Sequence, residues 1–542
     1  MNRLLLTFLL SVVTTTVANA QILSVDAPSS ARKYSKTEFS VSLKGKWENP
    51  YLQEQVALDM VLTSPSGKTL TLPCYYVSGE SGVASEWGAR FTAQETGTYS
   101  YIFRQSECGK VVSESAPASL KVTPGDGHGI LHTNDNWTLR YDDGTLFRGI
   151  AENICWESRD RDDSKFFSKL HEQADRFNYD VMLPDFAANG GNFVRVWMCS
   201  WNFPIDRQSG FNNSRYTETT DYMNASAIKR LDDVLTLAET LDIKFMLCLG
   251  PGNARTDRDF FVSDDAKTRY RNYLRYIVAR WGYSQAIGMW EFFNEIDNIQ
   301  FRDKNNPIPA EDIVGWHAEM AKYLKSIDPF GHITTTSISH RDLAGLNSVP
   351  DLDINQKHIY NATSVIPKTI VDYERRFGKP YVIGEFGREW DWSKNFDDFA
   401  DEMDADFRRG LWYGIFSPTP VTPMSWWWEY FENRNMAPYF KAVRKVSDTM
   451  LAESGGNFEI IEAMCEGGEA FALKCGRKTY VYVYNPSYTP VKSVTVKSDK
   501  RNVSAFDFTS LDFIPIKSDR TQEHVIIPCS IPRLGEALYV IK

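Results

Sequence analysis

A chain of 542 residues exceeds what one hydrophobic core organises, so two to three domains are expected. Hydrophobic residues at 42% and charged residues at 24% are those of an ordinary soluble globular protein. A net charge of −10 leaves no basic footprint, which argues against nucleic acid and anionic lipid surfaces as partners.

Residues 1–20 read as a secretory signal: Arg3 supplies the positive start, residues 4–13 an apolar run, and Ala18-Asn19-Ala20 a small-residue cleavage site. The apolar run is too short to span a bilayer, and Gln21 follows the cut where a lipid anchor would need Cys. The expectation is a secreted or periplasmic protein without a membrane span. From 21 to 123, short alternating runs such as Phe39-Ser-Val-Ser-Leu43 are punctuated by turn signals such as Pro65-Ser-Gly67, the habit of an Ig-like β-sandwich. Residues 124–129 read as a linker. Eight cysteines in an exported chain permit disulfides, and Cys74 and Cys108 could pair within this first unit. No CxxC or HExxH spacing is present, so neither a catalytic metal nor a cofactor is expected.

Beyond residue 130 the pattern changes. Apolar runs at 146–153, 192–198, 243–250, 287–297, 333–338, 354–360, 381–387 and 423–429 alternate with helical patterns. One helical face carries Ile228, Leu231, Val234 and Leu235, a second Tyr270, Tyr273, Leu274 and Ile277, and a third Ile313, Trp316, Met320 and Leu324. Eight strands alternating with helices over 130–450 predict an α/β fold, a (β/α)8 TIM barrel. A doubly wound sheet is the alternative, disfavoured because no glycine-rich phosphate loop follows a strand. Residues 455–542, with Tyr480-Val-Tyr-Val-Tyr484, predict a small C-terminal β-sandwich.

Two of these runs end in acids. Met289-Trp-Glu-Phe-Phe-Asn-Glu295 stops at Asn294-Glu295, and Tyr381-Val-Ile-Gly-Glu385 stops at Glu385. In a parallel barrel the carboxyl ends of the strands carry the chemistry, and two carboxylates there are the equipment of glycoside hydrolysis, one protonated and one ionised. Arg195 on the second strand and His358 and Tyr360 on the sixth add a cation and two donors. Trp426 and Trp428 on the eighth add rings expected to share a strand face. In this order the residues resemble the retaining clan of (β/α)8 glycoside hydrolases, closest to the family 5 type of cellulases and mannanases, with accessory β domains on either side.

The resemblance implies Glu295 as acid/base and Glu385 as nucleophile, with carboxyl groups about 5–5.5 Å apart. Arg195 would keep Glu385 ionised, Asn294 would hold the sugar 2-hydroxyl, and Tyr360 would donate to the nucleophile. His358 would bond substrate hydroxyls or orient Glu295, and Trp426 or Trp428 would floor the reacting subsite of a β-linked glycan. The structural alternatives are an Arg195 that merely pairs with an interior acid and a His358 that is an ordinary satisfied interior histidine. Glu291 and Glu429 are strand acids ranked below the pair, Glu291 because it lies before the strand end. Trp156, Trp201, Trp390 and Trp392 are loop rings that could line a cleft or simply pack. The rival functions are a non-catalytic carbohydrate-binding barrel and a transglycosylase using the same residues. The sugar, its linkage, exo or endo action and the oligomeric state are not legible at this level.

Overall fold

The computed structural model describes residues 20–160, 176–250, 256–389, 391 and 393–542. The signal reading at 1–20, save Ala20, and the rings of Trp390 and Trp392 lie outside the described residues.

The chain is a mixed α/β structure. Residues 21–123 form two sheets. One has strand order Gln21–Asp26, Lys36–Lys44, Ala84–Thr92, Tyr75–Gly79; the other has Ser30–Arg32, Ala118–Thr123, Gly97–Glu107, Val56–Thr63, Thr69–Pro73. Alternation decides which side chains meet: Phe39, Val41 and Leu43 turn inward to Leu58, Met60 and Phe103, while their neighbours Ser40 and Ser42 face water. Cys74 is buried and Cys108 sits exposed at a left-handed turn, so the two thiols are free rather than paired, as are the other six cysteines.

The central body is built on parallel pairing. Ala151–Asn153, Phe193–Trp197, Lys244–Cys248, Ile287–Glu291 and Ile333–Thr335 follow one another in one sheet, and Ser337–Ile338, Asn355–Tyr360 and Tyr381–Gly387 in a second. Residues 421–425 then bridge in parallel to both ends of this series, Val421 to Gly149 and Ser425 to Phe386. One face of six of these strands, with Ile354 just before Asn355–Tyr360 and with residues 421–425, contributes to a single apolar cluster that includes Ala151, Phe193, Met246, Met289, Ile333, Val382 and Met424. Two residues further along four of these strands, period-2 alternation puts Asn153, Arg195, Cys248 and Glu291 on that same face. The opposite face, with Trp290 fully buried, packs on the helices Ala225–Leu241, Asp264–Trp281 and Ala310–Ile327.

Three sequence expectations are corrected here. The run 146–153 is not one strand: Leu146–Phe147 pairs antiparallel with Leu139–Tyr141 across the turn at Gly144, and only Ala151–Asn153 joins the parallel sheet. The run 287–297 leaves the strand at Glu291, so Asn294 and Glu295 stand in the turn beyond it. The run 423–429 is not a strand, because Trp428 opens the helix Trp428–Asn433, and the parity argument joining Trp426 and Trp428 lapses. Its three consecutive tryptophans break the alternation: Trp427 packs on Phe396 and donates its indole N–H to the Arg388 carbonyl at 2.6 Å, while Trp426 and Trp428 meet Trp156.

From Phe458 onward two further sheets, of six and four strands, close the chain. The six-stranded sheet shares a core with the central helices through Tyr482, Leu538, Trp412 and Phe416. There the half-buried Glu536 accepts from Tyr439 at 2.6 Å and Tyr482 at 3.0 Å. On the other flank Arg275 donates to Asp59 at 2.6 Å, and Asp232 receives both Arg90 and Arg280 at 2.8 and 2.6 Å. Both flanking units are thus held by buried polar contacts rather than by linkers alone. No helix among the described residues is long and apolar enough to cross a membrane.

Candidate active site

The polar layer above the apolar cluster centres on Arg195, whose side chain is wholly removed from solvent. Its guanidinium forks onto both oxygens of Glu291 at 2.6 and 2.8 Å and reaches Glu385 at 2.6 Å. It also donates to the Asn294 amide oxygen at 2.8 Å. That last bond fixes the amide: with its oxygen turned to Arg195, Asn294 presents its NH2 group outward as a donor. Asn153 completes the layer, donating to the carbonyls of Gly384, Met424 and Ser425 and so tying the first strand to the seventh and to residues 424–425.

Glu385 lies on Tyr381–Gly387, opposite His358, because Gly384 is an extra residue on that strand: Lys357 pairs with Ile383 and His358 with Glu385. By plain alternation from the inward Val382 it would be Gly384, not Glu385, that shares the inner face with His358 and Tyr360. Gly384 permits the close approach: a Cβ there would fall 1.8 Å from the Gln356 amide oxygen. Tyr360 donates its hydroxyl to Glu385 Oε2 at 2.5 Å, and His358 Nδ1 stands 3.3 Å from the same oxygen. The imidazole nitrogen is also 2.9 Å from Glu295 Oε1, so one ring is shared by both acids. The chosen oxygens of Glu295 and Glu385 and this nitrogen lie within 4.8 Å of one another.

Glu295 occupies the left-handed region, φ 48 and ψ 56, which a side chain other than glycine adopts at a cost of order 1–3 kcal/mol. It is less buried than Glu385, and its second oxygen accepts from Asn298 at 2.7 Å. The two acids therefore sit in different surroundings, one lodged among cations and donors in the strand layer and one at the rim.

Burial by itself would raise the Glu385 carboxyl, but His358 and Arg195, helped by the Tyr360 hydroxyl, outweigh it and hold the group below the ordinary carboxylate range. Burial depresses the His358 imidazole, yet Glu385 and Glu295 more than compensate and raise it to about 9. Burial and the neighbouring Glu385 keep the Tyr360 phenol well above its ordinary value, so it remains a donor. The signs give a pH window. The His358 contribution to stability is complete below that group's ordinary 6.5 and is lost as pH rises through about 9. The Glu385 contribution is complete above its ordinary 4.5 and is lost as pH falls through the lower folded value. Urea midpoints are expected to hold between these ordinary values and to fall toward pH 9, and His358→Gln should remove the alkaline fall; a wild-type midpoint level up to pH 9 and beyond would contradict the shared-proton arrangement.

Glu295, His358 and Glu385 are also a group whose donor atoms could hold a metal ion. A ring that binds its proton this strongly offers Nδ1 as a hydrogen-bond donor, and an ion would have to displace that proton and compete with Arg195 for Glu385.

Around the acids stands a cluster of indoles. Trp156 meets Trp197, Trp201, Trp426 and Trp428 with centroids 4.8–5.7 Å apart, and Trp426 meets Trp197 at 5.3 Å. Trp426 is partly exposed, whereas Trp428 is buried behind it. A cavity of about 530 Å³ adjoins the site between Met198, Phe203, Leu249, Gly250 and Phe293.

The structure thus brings Arg195, Asn294, Glu295, His358, Tyr360 and Glu385 together and sets Trp428 back from them. Sequence reasoning undervalued Glu291, which is the last residue of its strand and the bidentate partner of Arg195, and passed over Asn153. Both carry the signal that singled out the acids, a polar residue closing an apolar strand. Glu429 is buried in the first turn of the helix that Trp428 opens.

Residues 30–106 match the family model described as a domain of unknown function (DUF5060). Over 253 residues the chain is 25% identical to mannan endo-1,4-beta-mannosidase A of Podospora anserina, covering 39% of this chain and 65% of that protein. It is 26% identical over 184 residues to the probable mannan endo-1,4-beta-mannosidase F of Emericella nidulans, covering 31% and 40%. The chain thus spans less than two thirds of these relatives' length. A solved structure from Bacteroides vulgatus, named as a candidate glycoside hydrolase, aligns over 95% of this chain and all of that one with a TM-score of 0.65 at 14% identity. A second, named a glycoside hydrolase, aligns over 76% of this chain with a TM-score of 0.54 at 13% identity. At these identities the two structures share the fold.

Proposed function

We propose that the protein is a retaining glycoside hydrolase acting on β-linked glycans, with β-1,4-mannan the first substrate to test. The observation that carries the reading is the pair Glu295 and Glu385, whose oxygens lie within 4.8 Å of each other around one imidazole. An approach this close supports double displacement over inversion, which uses carboxyl groups about 6.5–9.5 Å apart to admit a water. Glu385, held ionised by His358 and Arg195 with help from Tyr360, attacks the anomeric carbon. Glu295 gives its proton to the departing oxygen and then draws one from the incoming water. The outward NH2 of Asn294 meets the 2-hydroxyl, and Trp426 is the floor on which the reacting sugar lies, with Trp428 supporting it.

In this reading the parallel strands with residues 421–425 form a closed (β/α)8 barrel over 130–450. Supporting this are the bridges at both ends of the series and the one apolar cluster shared by most of its strands and residues 421–425. The flanking units are 21–123 and 455–542, both β-sandwiches, and residues 1–20 direct export. The mannan assignment rests on the named activity of the relatives.

The test is the appearance of new reducing ends on β-1,4-mannan, glucomannan, cellulose and xylan. Glu295→Ala is expected to lose about 10²–10⁴-fold in kcat/KM on phenyl glycosides and far less on 2,4-dinitrophenyl glycosides, whose leaving group needs no proton. Azide, a nucleophile needing no base, should speed its turnover. An equal loss on both substrates would remove Glu295 from the acid role.

A further inference from the structure

Two residues that touch neither Arg195 nor Glu385 hold the unusual backbone of Glu295. The Glu295 N–H donates to the Ser337 hydroxyl oxygen at 2.9 Å, and that hydroxyl in turn donates to the Phe293 carbonyl at 3.2 Å. Ser337 thereby pins both arms of the left-handed turn to the end of the neighbouring strand. Two residues after Glu295, the carboxylate of Asp297 is fully buried. Its Oδ1 accepts from the Ser339 N–H at 2.7 Å, and its Oδ2 accepts from the N–H groups of His340 and Arg341 at 3.0 Å each. Asp297 thus stitches the turn to the loop that follows the next strand.

A buried anion satisfied by three peptide N–H groups is a stiff joint, because every donor belongs to backbone rather than to a flexible side chain. Ordinary loop anchors are common, and such an anchor would serve stability alone. Here the joint acts on a residue held at φ 48, whose side-chain direction changes if the turn relaxes to a right-handed conformation.

Resting on the glycosidase reading, we propose that Asp297 and Ser337 are positioning residues for the proton donor: they hold the Glu295 turn left-handed so that its carboxyl faces the departing oxygen. Their effect passes through proton delivery and not through the nucleophile. Loss of either should therefore be felt in proportion to how much the leaving group needs a proton.

The experiment compares kcat/KM of wild type, Asp297→Asn, Ser337→Ala and Glu295→Ala on phenyl and 2,4-dinitrophenyl β-mannobiosides. Asp297→Asn turns an amide NH2 toward a backbone donor, and Ser337→Ala leaves the Glu295 N–H without its acceptor. Each is expected to lose about 10–100-fold on the phenyl substrate and no more than about threefold on the dinitrophenyl one. Equal losses on both substrates, or none on either, would overturn the proposal while leaving the glycosidase reading intact. A wild type inactive on both, and on the matching β-cellobiosides and β-xylobiosides, would overturn the reading and the proposal together. Should Asp297→Asn fail to fold, Ser337→Ala, which removes one neutral contact, decides the matter alone.

Discussion

Glu385→Gln is expected to abolish turnover, a fall of about 10⁴-fold or more in kcat, while the protein remains folded. Glutamine keeps the shape of the side chain and still has an oxygen to accept from Arg195 or Tyr360, but it cannot attack an anomeric carbon. The parent state supports this split between chemistry and folding. Arg195 retains its bidentate bond to Glu291 when Glu385 is neutralised, so no cation is left unpaired in the strand layer. Far-UV circular dichroism and the urea midpoint would report the fold, and release of reducing ends the activity. Substantial residual turnover would show that another group attacks the sugar.

The second large effect falls on stability. Arg195→Met removes the cation from a layer in which Glu291 is fully buried and Glu385 nearly so. Breaking a buried ion pair from one side leaves an uncompensated charge, at a cost of about 3–5 kcal/mol. Removing both charges is gentler than removing one, and the double variant Arg195→Met with Glu291→Leu should recover a large part of the lost stability. It should not recover activity, since Glu385 then lacks one of its two cations and Asn294 its orienting donor. A double variant no more stable than the single one would show that Glu291 is not the principal electrostatic partner of Arg195.

Much of the site could be read from strand endings. A polar residue closing an apolar run is costly unless it does something, and that reasoning reaches Asn294, Glu295 and Glu385, while Arg195, His358 and Tyr360 enter through the resemblance to glycoside hydrolases. The same logic should have admitted Glu291 and Asn153. They were passed over because the fourth strand was drawn through to Asp297 and the first through a hairpin. Strand ends depend on where the chain turns away from its neighbours, and composition does not carry that information. Trp426 and Trp428 failed for a related reason: parity holds only while the chain stays extended, and a run of three large rings packs in three directions instead. The register bulge at Gly384 and the left-handed Glu295 are backbone events that no residue type announces. Yet they bring the imidazole between the two acids. The β units at either end were visible as alternating runs, whereas the buried contacts that dock them, Arg90 with Asp232 and Tyr439 with Glu536, join residues far apart in the chain.

The proposed role of Glu385 is to bond covalently to the sugar. Incubation with a 2-deoxy-2-fluoro β-glycosyl fluoride slows breakdown of the glycosyl-enzyme and lets the adduct be weighed and mapped by peptide mass spectrometry. The expected result is one added sugar on the peptide carrying Glu385 and none on the Glu385→Gln protein. A label on the peptide carrying Glu291 and Glu295, or turnover with no adduct and an inverted product, would contradict it.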